Sequence, residues 1–140
     1  MKIAVIDGQG GGIGKLLTER LKNGVSHAEI WGIGTNVAAT LAMQKAGADV
    51  SATGENAILV ACRKADVIVG PIGIVIADAL FGEITPKIAA AVGQSDAKRI
   101  LIPINHCDNI VVGVSELSIP KLVQSAVDAV RGIYTDLLNL

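Results

Sequence analysis

Short apolar runs alternate along the chain with longer stretches whose apolar residues recur every three or four positions. The first pattern predicts buried strands and the second amphipathic helices. Lys2–Asp7 reads KIAVID, a strand. Ile13–Asn23 carries Ile13, Leu16, Leu17 and Leu21 on one helical face, and Gly24 stops it. His27–Gly32 predicts a second strand. The next helix starts at Thr35-Asn36, both good N-caps, and ends at Gly47, a left-handed C-cap. Ala48–Ser51 predicts a third strand, Glu55–Lys64 a helix, and Asp66–Gly70 (DVIVG) a fourth strand. An apolar helix is expected over Ile74–Phe81, and Thr85-Pro86 opens another, with Pro in its first turn. Arg99–Ile104 predicts a fifth strand. Asn109–Val114 is apolar and β-branched, and only Asn105–Asp108 separates it from the fifth. That gap is too short for a parallel crossover, so a hairpin is expected. Ser118 caps a last helix with a long stripe through Leu122, Val123, Ala126, Val127 and Val130.

Strand–helix alternation over 140 residues predicts one α/β domain, residues 1–140. The expected form is a three-layer, Rossmann-like, doubly wound sheet. It has about five mostly parallel strands plus an antiparallel edge strand. Composition agrees with a sheet buried on both faces. Hydrophobic residues make up 51%, and only Trp31, Phe81 and Tyr134 are aromatic, so the core is aliphatic. So apolar a short chain, with a mean hydropathy of +0.54, is expected to form homo-oligomers, at least a dimer.

Charge removes some partners. The net charge is −1 and the basic clusters are pairs, Arg63-Lys64 and Lys98-Arg99, which gives no nucleic-acid footprint. The most apolar run, Val67–Phe81, contains Pro71 and Asp78 and is too short to span a bilayer. Cys62 and Cys107 have no zinc or redox spacing, so no metal site is expected. With few cysteines and no leader pattern, the expected location is the cytoplasm.

Between the first strand and first helix lies Gly8-Gln9-Gly10-Gly11-Gly12-Ile13-Gly14, five glycines in seven residues. Glycine lets a backbone approach a ligand, and a helix N-terminus offers free N–H groups to a phosphate. The alternative is a sharp turn packed on a sheet. G-x-G-x-x-G fails because Ile13 holds its last position. Walker A fails because Gln9 replaces its first Gly and Leu16 its magnesium-binding hydroxyl, so nucleoside triphosphate hydrolysis is not expected. The GGIGK run resembles the variant loop of partition-type ATPases, again without the hydroxyl. G-x-x-x-G-I-G resembles the cofactor loop of short-chain dehydrogenases, and DVIVGPIG falls where that family has a strand ending near its cofactor. The resemblance implies a binding mode for NAD or NADP and not a reaction. The family's Tyr-x-x-x-Lys pair is absent, because Leu138 stands four residues after Tyr134.

Other groups are expected on the same sheet edge. Thr35 and Asn36 stand where a nicotinamide dinucleotide site usually has an acid for the ribose, and can bind a hydroxyl or 2′-phosphate, or cap a helix. Gly70 and Pro71 end the fourth strand, and Asn105 follows the fifth. Asp7 stands at the mouth of the glycine loop. There it can accept loop N–H bonds, the favoured reading, or else hold a metal or act as acid or base. His106 can move protons and Cys107 can act as a nucleophile, unless the stretch is only a polar turn. A small phosphorylated ligand or nucleotide is thus the expected partner. The alternatives are an enzyme acting on a phosphorylated metabolite through His106 or Cys107, or an oligomeric scaffold without ligand. Taken whole, MKIAVIDGQGGGIGK, GIGTNVAAT and ILIPINHCDNIVVGV resemble a small bacterial family known as a domain of unknown function. That resemblance implies the fold and no chemistry.

Overall fold

The central strand is the first one. β1 (Lys2–Asp7) is buried from Ile3 onward and pairs on both sides, so its apolar run needs no polar face. The computed structural model describes residues 1–104, 108–114 and 117–139. In chain order its elements are β1, α1 (Gly12–Gly24), β2 (Glu29–Gly34), α2 (Val37–Lys45), β3 (Val50–Thr53), α3 (Glu55–Lys64), β4 (Val67–Pro71), α4 (Pro86–Gln94), β5 (Lys98–Ile102) and α5 (Ile119–Leu138). The five strands form one parallel sheet in the order β3-β2-β1-β4-β5.

Side chains alternate across this sheet. Ile3 and Val5 pack with Leu17, Leu21, Met43, Val123 and Val127 of α1, α2 and α5. Ala4 and Ile6 pack on the other face with Ile58, Ile88 and Val92 of α3 and α4. By the same alternation Asp7, next after Ile6, points toward the α1 face. Asn36 Oδ1 accepts from Ala39 N at 2.9 Å and Thr85 Oγ1 from Ile88 N at 3.1 Å, which starts α2 and α4. Among the described residues no helix is long and apolar enough to cross a membrane.

Three expectations are corrected. The sheet has no antiparallel edge strand among the described residues, and residues 109–114 are not a strand. Ile110 and Val112 are 90% and 92% exposed, and Gly113 turns the chain with φ +85°. β-Branched residues favour a strand only when a partner and a buried face await them. Ile74–Phe81 is not a helix. A 3₁₀ turn (Ile72–Val75) gives way to turns in which Asp78, Leu80 and Phe81 all have positive φ. Those left-handed residues break any helix, and the turns themselves bury Ala79, Leu80 and Ile84 at 3%, 3% and 0% exposure. Finally, β2 and β3 start two residues later than expected. In that register Gly32 lies under α2, where a Cβ would come within 2.7 Å of Met43 Cβ.

Candidate functional site at the C-terminal sheet edge

Strand order reverses at β1: the chain winds outward to β2 and β3, then returns to β4 and β5. A crevice opens beyond the carboxyl ends of the strands at such a reversal. The glycine loop after β1 lies there. A cavity of about 350 Å³ is lined by Asp7 through Ile13, by Pro71 at the end of β4, by Leu80, and by Ile119 at the start of α5. Gly70 lies inside β4, where a Cβ would strike the Ile6 carbonyl of β1. Lys15 faces elsewhere, lining a groove with Ala38, Leu41, Ala42 and Lys45. It does not line the glycine-loop cavity, as a phosphate-binding lysine of the Walker kind would.

The glycines divide into two kinds. Gly11 N–H donates to the Gly8 carbonyl at 3.0 Å, closing a tight turn. Gly11 has φ +73°, and a Cβ on it would come within 2.7 Å of Ala39 Cα. A Cβ on Gly14 would lie 2.9 Å from Asp7 Cβ and 2.7 Å from Met43 Sδ. Turn geometry and helix packing therefore demand glycine at both. Neither demand exists at Gly10 and Gly12. Neither has a left-handed φ, and a Cβ on either would meet nothing within 4 Å. The N–H groups of Gly10, Gly12 and Ile13 find no acceptor among the described residues.

Asp7 is 4% exposed and fully engaged. Its Oδ1 accepts from Gly8 N at 2.8 Å and its Oδ2 from Gly14 N at 2.7 Å. Burial raises its pKa above the ordinary carboxylate value. The two backbone donors pull it down, and the nearby Glu83 charge pushes it up again. The carboxylate is thus a brace between the end of β1 and the first turn of α1.

A second acid, absent from the sequence reading, completes the loop. Glu83 reaches the site from the connection between β4 and α4. Its Oε1 accepts from Gln9 N at 3.0 Å, Thr35 Oγ1 at 2.7 Å and Asn36 Nδ2 at 2.6 Å. Among the described residues its Oε2 has only a longer, shared bond from Gln9 N at 3.2 Å. Burial pushes the Glu83 pKa up, but the bonds from Thr35, Gln9 and Asn36 outweigh it and hold the group below the ordinary value. Thr35 and Asn36 thus do bracket the loop, through Glu83. Asn36 also donates to the Gln9 carbonyl at 3.0 Å. The one sequence signal for Glu83 was negative: β2 ends without the acid that its place in such a sheet calls for.

Asn105, His106 and Cys107 lie outside the described residues. Cys62 is buried on the inner face of α3, and burial pushes its thiol up to about 11, which keeps it protonated. No group of three or more His, Cys, Asp or Glu suited to a metal ion occurs among the described residues. A further cavity of about 380 Å³ lies between α3 and α4, lined in part by Arg63, Gln94 and Asp96. It has no loop of converging N–H groups.

Fold and site together define an α/β protein with a parallel sheet and a glycine loop braced by two carboxylates at its crest. The model of the family described as "Domain of unknown function (DUF3842)" matches residues 2–135, so the chain belongs to that family. No curated protein and no solved structure matches it.

Proposed function

We propose that this Rossmann-like protein binds a nucleotide or dinucleotide over its glycine loop, NAD or NADP before other ligands. The observation that carries the reading is the pair Gly10 and Gly12. Neither packing nor backbone conformation requires glycine there, yet both border the cavity with N–H groups that find no acceptor among the described residues. A phosphate approaching the first turn of α1 needs such bare, donor-bearing backbone. The strand order β3-β2-β1-β4-β5 supports the same reading, since dinucleotides lie across the reversal in sheets wound this way. Asp7 leaves room for the ligand, because its carboxylate turns back onto Gly8 and Gly14.

The test is thermal stability with NAD, NADP, ATP, FMN and sugar phosphates. A ligand at a hundredfold excess over its Kd adds about 2.7 kcal/mol, a rise of several degrees in Tm. A nucleotide is expected to give that rise and Gly12→Asp to abolish it. The variant is expected to fold, since a side chain at Gly12 meets open space. If none of these ligands shifts the wild-type Tm, or if Gly12→Asp leaves the shift intact, the reading is wrong.

A further inference from the structure

Gly34 ends β2, and Thr35-Asn36 follow without an acid. In nucleotide-binding sheets an Asp or Glu at this place accepts the ribose hydroxyls. Here the fold brings one from 48 residues away. We propose that Glu83 is the ribose acceptor of this site and that it selects a ligand with a free 2′-hydroxyl over one with a 2′-phosphate. This rests on reading the glycine loop as a nucleotide site.

The hydrogen-bond accounting gives the chemistry. Glu83 Oε1 is saturated by three donors, one from the glycine loop and two from the end of β2. Oε2 keeps lone pairs for further donors, because its one bond among the described residues is the long shared one. A ribose diol supplies O–H donors to such an oxygen. A 2′-phosphate supplies only acceptors and negative charge. It would meet a carboxylate that has already taken the donors of Gln9, Thr35 and Asn36. Among the described residues no Lys or Arg forms an ion pair with Glu83 to offset that charge.

The segment that carries Glu83 is held for the purpose. Asp78 N–H donates to the Ile84 carbonyl at 2.7 Å, closing the loop at its base. Leu80 and Ile84 are buried beneath it. Leu80 also lies close to Gly8, where a Cβ would come within 3.0 Å of Leu80 Cδ1 and 3.2 Å of Glu83 Oε1. Three non-glycine residues of the segment, Asp78, Leu80 and Phe81, hold φ of +67°, +54° and +58°. Such conformations persist where packing and hydrogen bonds over-determine them, and they gather at functional sites.

Adenosine 5′-monophosphate and adenosine 2′,5′-bisphosphate differ only in the 2′-phosphate, so their affinity ratio reads the proposal. Calorimetric titration of the wild type is expected to favour the monophosphate. In Glu83→Ala the donors of Gln9, Thr35 and Asn36 are freed, and the ratio should move toward the bisphosphate by about tenfold or more. Glu83→Gln keeps the shape without the charge. It should move the ratio the same way, which covers the case where the alanine variant fails to fold. A ratio unmoved in both variants, while Gly12→Asp still abolishes monophosphate binding, overturns the role of Glu83 alone. Monophosphate binding that survives Gly12→Asp, or is absent from every form, overturns the glycine-loop reading and this inference with it.

Discussion

Two carboxylates at one loop are shifted in opposite directions, and the difference is testable. Asp7 has a folded pKa above its unfolded value, chiefly through burial. Its ionisation therefore weighs against the folded state at neutral pH, and that cost is relieved as pH falls through the folded pKa. Glu83 has a folded pKa below its unfolded value, because its three donors outweigh burial. Its contribution is present above the unfolded pKa and is lost as pH falls through the folded one. Glu83→Gln is expected to cost about 1 kcal/mol at pH 7. In urea titrations from pH 7 downward, the gap between wild type and variant should close at the acid end. A gap that widens toward acid would contradict the assignment. Asp7→Asn should cost about 2 kcal/mol despite relieving a buried charge. An amide oxygen can serve only one of Gly8 N–H and Gly14 N–H, and the other meets an NH₂ group.

At the scale of elements, the glycine loop and the strap after β4 show what local pattern can and cannot say. The run of glycines was plain in the sequence, as was its place between a strand and a helix. What could not be read was which glycines serve the turn, because that depends on where α2 lands. Gly11→Ala should destabilise by about 2 kcal/mol or more, through its positive φ and the nearness of Ala39. Gly10→Ala meets no neighbour and should change stability by less than about 1 kcal/mol in either direction. Equal losses of Tm in the two variants would refute the division. The α3 bounds, Glu55–Lys64, were legible to the residue, since an acidic first turn and a basic last turn mark both ends. Ile74–Phe81 misled because Ile74, Ala79 and Leu80 are buried by a folded-back loop and not by a helix face. Asn109–Val114 misled because β-branched composition records a preference and not a partner.

For the whole molecule, the apolar surface remains to be accounted for. Phe81, Ile110 and Val112 are 101%, 90% and 92% exposed. Light scattering coupled to size exclusion is expected to show at least a dimer. Phe81→Ser should weaken the association by lowering the apolar area available for burial, while leaving thermal stability almost unchanged. A monomeric wild type at micromolar concentration would set the prediction aside. The sequence by itself determined the alternation of strands and helices, the parallel sheet, the glycine loop, and the place of Asp7 at that loop's mouth. These follow from periods, caps and contacts that act within a few residues. Only the tertiary structure decided that Glu83 stands at the end of β2, bonded to Gln9 from 74 residues away. The partners of a carboxylate on a connecting loop depend on how that loop crosses the sheet edge. That path is fixed by the burial of Leu80 and Ile84 against the core, which no local period records.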